Sequence, residues 1–145
     1  TLRAAAVVPF LAARSVSRPD GPAALKKAQR WQKIADEAAK QSQRGRLPEV
    51  SAPVTFEEAC RRARQTSRTV VLYEGGGEPL RRLLAPAPES LALFVGPEGG
   101  FEPQEVGALQ AQGAAAATLG ARILRTETAP LAALSAVMFA TGNLE

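Results

Sequence analysis

Along this 145-residue chain, short apolar runs rich in β-branched residues alternate with longer stretches of helical period. Ala5 to Phe10 is small and β-branched and halts around Pro9, which predicts a short buried strand. Beyond the turn cluster Arg18-Pro19-Asp20-Gly21-Pro22 the pattern predicts a long helix from about Ala23 to Gln43. Its apolar side is Trp31, Ile34, Ala35 and Ala38, while Lys26, Arg30, Lys33, Lys40 and Arg44 recur on another side. Asp36 and Glu37 are spaced to pair with Lys33 and Lys40. Gly45 to Pro53 reads as a linker, and Thr55-Phe-Glu-Glu58 as a capping box opening a short helix to about Gln65. Strands are expected over 69–74, 90–95 and 114–119, and helices over 103–112 and 127–140. Glu78–Leu84 reads as one or two helical turns. This alternation predicts an α/β fold, a mainly parallel sheet flanked by helices.

Ligands of such sheets sit beyond the carboxyl ends of the strands. That rule selects the loops Glu74–Gly77, Gly96–Gly100 and Gly120–Glu127, which hold seven (75, 76, 77, 96, 99, 100 and 120) of the chain's 12 glycines. Taken singly, each loop reads as an ordinary glycine-rich turn; three at strand ends point to a site where backbone approaches a ligand closely. No loop carries a phosphate-binding Lys-Ser/Thr pair or a complete G-x-G-x-x-G fingerprint, so nucleoside triphosphates and dinucleotides fit poorly. The carboxylates Glu74, Glu98 and Glu127 favour a ligand with a positive centre, and the sulfonium of S-adenosylmethionine is one.

Composition narrows the chemistry further. The chain contains no histidine, which excludes a Ser-His-Asp relay and imidazole metal ligation, and no metal site is expected. Its single cysteine, Cys60, excludes an internal disulfide, suits a reducing cytoplasm and reads as a buried structural thiol. No apolar run is long enough to span a membrane, and Thr1-Leu2-Arg3 lacks a leader layout. At 46% hydrophobic and 22% charged, the composition is that of one globular domain. Residues 1–68 carry 14 Lys/Arg against 6 Asp/Glu, whereas residues 69–145 carry 4 against 8. The basic half suits a polyanion or a solvated helix face.

Leu93-Phe-Val-Gly-Pro-Glu-Gly-Gly-Phe101 with Glu105, and Leu119-Gly-Ala-Arg-Ile-Leu-Arg-Thr-Glu-Thr-Ala129, resemble the two signature motifs of the RsmE family. These are SPOUT-class methyltransferases of uridine N3 in 16S ribosomal RNA. Arg30-Trp-Gln-Lys-Ile-Ala35, Pro48-Glu49-Val50 and Arg14-Ser15-Val16 extend the resemblance in order along nearly the whole chain. Gln43, Ala121 and Ala13 depart from it, standing where glycine, proline and an acidic residue are usual. The resemblance implies a C-terminal trefoil knot, S-adenosylmethionine held by the knot loops, a homodimer, and small-subunit ribosomal RNA as partner. It also implies that residues 1–145 are an N-terminally incomplete SPOUT domain, without the family's PUA-like RNA-binding domain.

On this resemblance the cofactor pocket draws on Gly96, Pro97, Glu98, Gly99 and Gly100. Leu119, Gly120, Ile123, Leu124, Arg125, Thr126, Thr128 and Ala129 form a second wall, and Leu72, Glu74 and Gly75 a third. Thr126 or Thr128 is expected to cap the last helix. Arg125 is the first choice for a donor to the base or RNA backbone; the alternative is an ion pair with Glu127 or Glu98. Glu127 orients Arg125, faces the sulfonium, accepts the N3 proton, or simply charges the first turn of the last helix. Arg14, Arg30, Lys33 and Arg44 are candidates for RNA phosphates. The competing functions are a SPOUT methyltransferase with another target, such as a transfer RNA ribose 2′-hydroxyl, and a non-catalytic RNA-binding or assembly module.

Overall fold

Proline cannot donate to a ladder, and Pro9 divides the first apolar run into two short strands, β1 (Ala6–Val7) and β2 (Phe10–Leu11). The structure, a computed structural model, describes residues 4–144, so the Thr1–Arg3 segment lies outside the described residues. The expected linker supplies both partners: β3 (Glu49–Val50) runs parallel to β1, and β4 (Val54–Thr55) parallel to β2. Backbone N–H groups of Glu49, Ser51 and Val54 donate to the carbonyls of Ala5, Val7 and Pro9 at 3.0, 3.1 and 2.9 Å. Two-residue strands beside prolines carry no periodicity, so only the pairing reveals them.

Helix α1 (Gly21–Gln41) buries Ala28 and Ala39 most deeply, with only part of the expected face beside them. Trp31 and Ala35 are half-buried, while Ile34 is 54% exposed and Ala38 is exposed. The helix packs through small residues and through Gln32, whose Nε2 donates to the Pro48 carbonyl and whose Oε1 accepts the Val50 N–H, at 2.8 and 2.7 Å. Gln32 also takes Asp36 at 2.8 Å, and no ion pair within 4.0 Å among the described residues involves Lys33 or Lys40. The helix closes on Gln43, at φ 53, with the Arg44 N–H on the Ala39 carbonyl at 2.9 Å.

Helix α2 (Phe56–Ala63) starts as predicted, with the Thr55 hydroxyl accepting the Glu58 N–H at 3.1 Å. The reciprocal half of the box is absent, because the Glu58 carboxylate is taken by Arg61 at 2.6 Å and Arg62 at 3.1 Å. The Arg61 hydrogen bond, then that of Arg62, holds the half-buried Glu58 carboxyl down at about 2.

The central sheet follows: β5 (Arg68–Leu72), β6 (Glu78–Pro79) leading into α3 (Leu80–Leu83), β7 (Leu91–Phe94), α4 (Pro103–Ala111), β8 (Ala115–Thr118) and α5 (Ala129–Ala140). Its order is β6-β8-β5-β7, with every pair parallel. Val70 and Val71 are fully buried on opposite faces of β5, each burial stabilising the fold by about 2 kcal/mol. One face packs Val71 and Phe94 against Cys60 of α2 and Leu109 of α4; the other packs Val70 and Ala117 against Leu80 and Ala133. Burial pushes the Cys60 thiol up, in keeping with a structural role. Phe10 ties the N-terminal strands to the first face, its ring stacked 6.1 Å from Phe101 at 3° and 5.5 Å from Phe94.

Candidate active site

From β5 the chain runs to the edge strand β6, returns through α3 to β7 on the other side of β5, and crosses by α4 to β8, between β5 and β6. Connections that diverge from a shared strand leave a crevice over the carboxyl ends of the sheet. Here it is a cleft of about 510 Å³, bounded by the three glycine-bearing loops. Of the predicted cofactor residues, Leu72, Glu74, Gly75, Gly96, Pro97, Gly99, Gly100, Leu119, Gly120, Ile123, Leu124, Thr126 and Ala129 line it. Glu98, Arg125 and Thr128 do not.

The first wall is the turn after β7, closed by the Gly100 N–H on the Pro97 carbonyl at 2.8 Å. Gly100 sits at φ +71, where a side chain would be strained. A Cβ on Gly99 would lie 3.0 Å from the Arg14 Cβ, and the Arg14 Nη1 donates to the Gly99 carbonyl at 2.9 Å. Arg14 therefore stands exposed at the lining of the cleft. Glu74 meets this wall from the turn after β5, its Oε1 3.5 Å from where a Gly100 Cβ would stand.

The second wall follows β8 and turns at Gly120, φ +115. The Thr128 and Ala129 N–H groups both donate to the Arg125 carbonyl at 2.9 Å, which starts α5. Thr128 occupies the cap position without a side-chain cap bond, and Glu127 precedes the helix instead of charging its first turn. Arg125 and Glu127 are exposed, and no ion pair within 4.0 Å among the described residues joins Arg125 to Glu127 or Glu98. Among the described residues, the hydrogen bonds Arg125 makes are those its carbonyl accepts.

Arg30 and Lys33 are exposed on α1, whereas Arg44 is half-buried and donates to the Ala4 carbonyl at 3.3 Å. Arg44 thus braces the start of the chain. Tyr73, Val95, Phe101, Pro103, Ala117, Thr118, Ala121 and Arg122 also line the cleft, though the sequence did not single them out as site residues. Arg122 had a usable signal, as a cation inside the glycine-led 120–127 loop. Among the described residues no group of three or more His, Cys, Asp or Glu is placed to hold a metal, and no helix is long and apolar enough to cross a membrane.

Comparison with known proteins agrees with this geometry. Residues 1–138 match the RNA methyltransferase domain family. The ribosomal RNA small subunit methyltransferase E of Bacillus subtilis is 43% identical over 97% of this chain and 57% of its own length. The Mycobacterium bovis protein of the same name is 38% identical over 91% of this chain and 52% of its own. The crystal structure of the Neisseria gonorrhoeae protein of that name, bound to S-adenosyl methionine, aligns with a TM-score of 0.82 at 34% identity, covering 95% of this chain and 56% of that one. The chain spans a little over half the length of these relatives. With its signature loops converging on one cleft and the match running from residue 1 to 138, this chain belongs to the RNA methyltransferase domain family and is similar to the ribosomal RNA small subunit methyltransferases E.

Proposed function

We propose that this chain is the methyl-transfer domain of an enzyme that methylates small-subunit ribosomal RNA at a uridine N3, with S-adenosylmethionine as donor. The observation that carries the proposal is the convergence of three glycine-bearing strand-end loops on one 510 Å³ cleft. The lining suits that donor. Leu72, Leu119, Ile123 and Leu124 offer apolar surface for an adenine, the Gly96–Gly100 backbone offers polar edges, and Glu74 offers a carboxylate for a cationic group. Arg14 and Arg122 offer guanidiniums for the carboxylate of the methionine portion or for an oxyanion.

Bound there, the sulfonium supplies an electrophilic methyl. What the chain contributes is position and charge. The imide proton of uracil N3 is mildly acidic, and its loss places negative charge on the flanking carbonyl oxygens. Arg14 and Arg122 bring donors for those oxygens to the cleft, and the chain has no histidine to compete for that work. Arg125 and Glu127 stand exposed on the adjoining turn, where incoming RNA meets them, and Glu127 or water takes the proton. Arg30 and Lys33 on α1 contact phosphates.

The same reading includes a C-terminal trefoil knot, a cytoplasmic setting, and an RNA-binding portion outside residues 1–145. It also includes a homodimer. Leu131 and Phe139 are 62% and 72% exposed on a helix with almost no polar residue, a surface suited to a second copy. Replacing both by glutamate is expected to halve the mass measured by light scattering; an unchanged dimer mass removes this face from the interface.

Nucleoside mass spectrometry of 16S ribosomal RNA from a deletion strain tests the activity, with loss of an N3-methyluridine expected. Loss of a ribose methyl from transfer RNA instead assigns a different target. Failure of the wild-type protein to bind S-adenosylmethionine in calorimetry makes the chain a binding module.

A further inference from the structure

The Glu105 carboxylate is divided between two segments of the chain. The residue is only 9% exposed. Its Oε1 accepts the Glu102 N–H at 2.9 Å, and the Glu102 side chain accepts the Glu105 N–H, so the pair forms a capping box at the start of α4. Its Oε2 accepts the Ala13 N–H at 3.1 Å, 92 residues away in sequence. A capping box is a local device, and this one reaches across the fold.

Ala13 belongs to a tightly bonded turn. The Ser15 N–H donates to the Ala12 carbonyl at 3.1 Å, the Ala12 N–H donates back to the Ser15 hydroxyl at 3.0 Å, and Arg18 donates to the Ala12 and Ala13 carbonyls at 2.9 Å each. Where this turn sits decides where Arg14 goes. Arg14 occupies the space a Gly99 side chain would need, with its guanidinium on the Gly99 carbonyl and its Nε 4.0 Å from Glu102.

We propose that Glu105 is a positioning residue for methyl transfer: it pins the Ala12–Ser15 turn onto the start of α4 and so aims the Arg14 guanidinium into the cleft. The inference rests on the reading of that cleft as the methyl-transfer site. A carboxylate suits the task because it offers two acceptor oxygens and no donor. Glutamine keeps one oxygen and turns an N–H toward the other amide, so either the cap or the tether fails. Ala13→Pro removes the tether's donor while leaving the capping box of α4 intact.

The test compares wild type, Glu105→Gln, Arg14→Ala and the double variant in the full-length gene product, with Ala13→Pro alongside in case Glu105→Gln does not fold. Glu105→Gln and Ala13→Pro are expected to lower kcat for transfer to small-subunit ribosomal RNA at least tenfold, with cofactor Kd within threefold. Added to Arg14→Ala, either change should alter kcat less than twofold. Equal losses in both backgrounds overturn the proposal, since a purely structural glutamate acts regardless of Arg14. Amide exchange supplies a readout independent of turnover. The tether predicts faster exchange in Glu105→Gln across residues 12–18 and at Gly99–Gly100 together. Acceleration confined to the start of α4 overturns it. A wild type that binds no S-adenosylmethionine refutes the functional reading instead, and the exchange pattern still decides the tether.

Discussion

The two walls of the cleft are built differently. The wall after β7 is braced on every side: its turn is closed by the Gly100 to Pro97 bond, Phe101 is buried in the core, and Arg14 and Glu105 join it to the N-terminal turn. The wall after β8 projects: Leu119 packs at its base, but Ile123 is 75% exposed and the far end is held by the pair of N–H bonds to the Arg125 carbonyl. A segment with few buried apolar contacts opens at low free-energy cost, whereas a braced one holds its geometry before any ligand arrives. The difference assigns the walls distinct tasks. The braced wall presets where the reacting groups stand, and the projecting wall gains its contacts from what binds.

Three variants sharpen or break that contrast. The largest effect is expected from Gly120→Val, because the turn at φ +115 is closed to a β-branched residue. Calorimetry should show cofactor affinity falling about 100-fold, some 2.8 kcal/mol, with little change in melting temperature, since this loop contributes little to the core. Binding within threefold of wild type removes the second wall from the site. Ile123→Ser comes next. If Ile123 closes over a ligand, the exchange loses about 1.5 kcal/mol of apolar burial, roughly tenfold in Kd, while denaturant stability of the free protein stays level. A loss of stability in the free protein instead places Ile123 in the fold and cancels the contrast. The smallest effect is a control remote from both walls. Gln43→Gly relieves a left-handed residue at the end of α1 and should raise stability by about 1 kcal/mol in urea titration, leaving cofactor affinity unchanged.

Much of this was legible beforehand. The strands over Thr69–Glu74 and Ser90–Val95 announced themselves by β-branched and aliphatic runs, and Pro103 and Gly113 bracketed α4. The glycines at the strand ends marked the cleft. The α1 face was placed only in part: Trp31 and Ala35 are half-buried, but Ile34 and Ala38 are exposed and the helix buries Ala28 and Ala39 and bonds through Gln32. Periodicity cannot distinguish an apolar stripe turned inward from one left open for another surface. Arg125 and Glu127 share a motif with the cleft residues yet stand exposed beside the cleft, a placement that the motif by itself does not specify. Arg14 carried the opposite lesson: nothing local to residues 12–15 says that they meet Gly99.

The order of strands and helices, the glycine-bearing turns at the sheet's carboxyl edge and the chemistry barred by a lack of histidine were all properties of the chain as written, because each depends on neighbours a few residues apart. The pairing of β1 with β3 and of β2 with β4, the divergence of β7 and β8 about β5, and the bond from Glu105 to Ala13 depended on contacts spanning tens of residues. Only packing selects among such contacts. A backbone N–H or carboxylate takes whichever partner the assembled core brings within about 3 Å, and no local pattern records that choice.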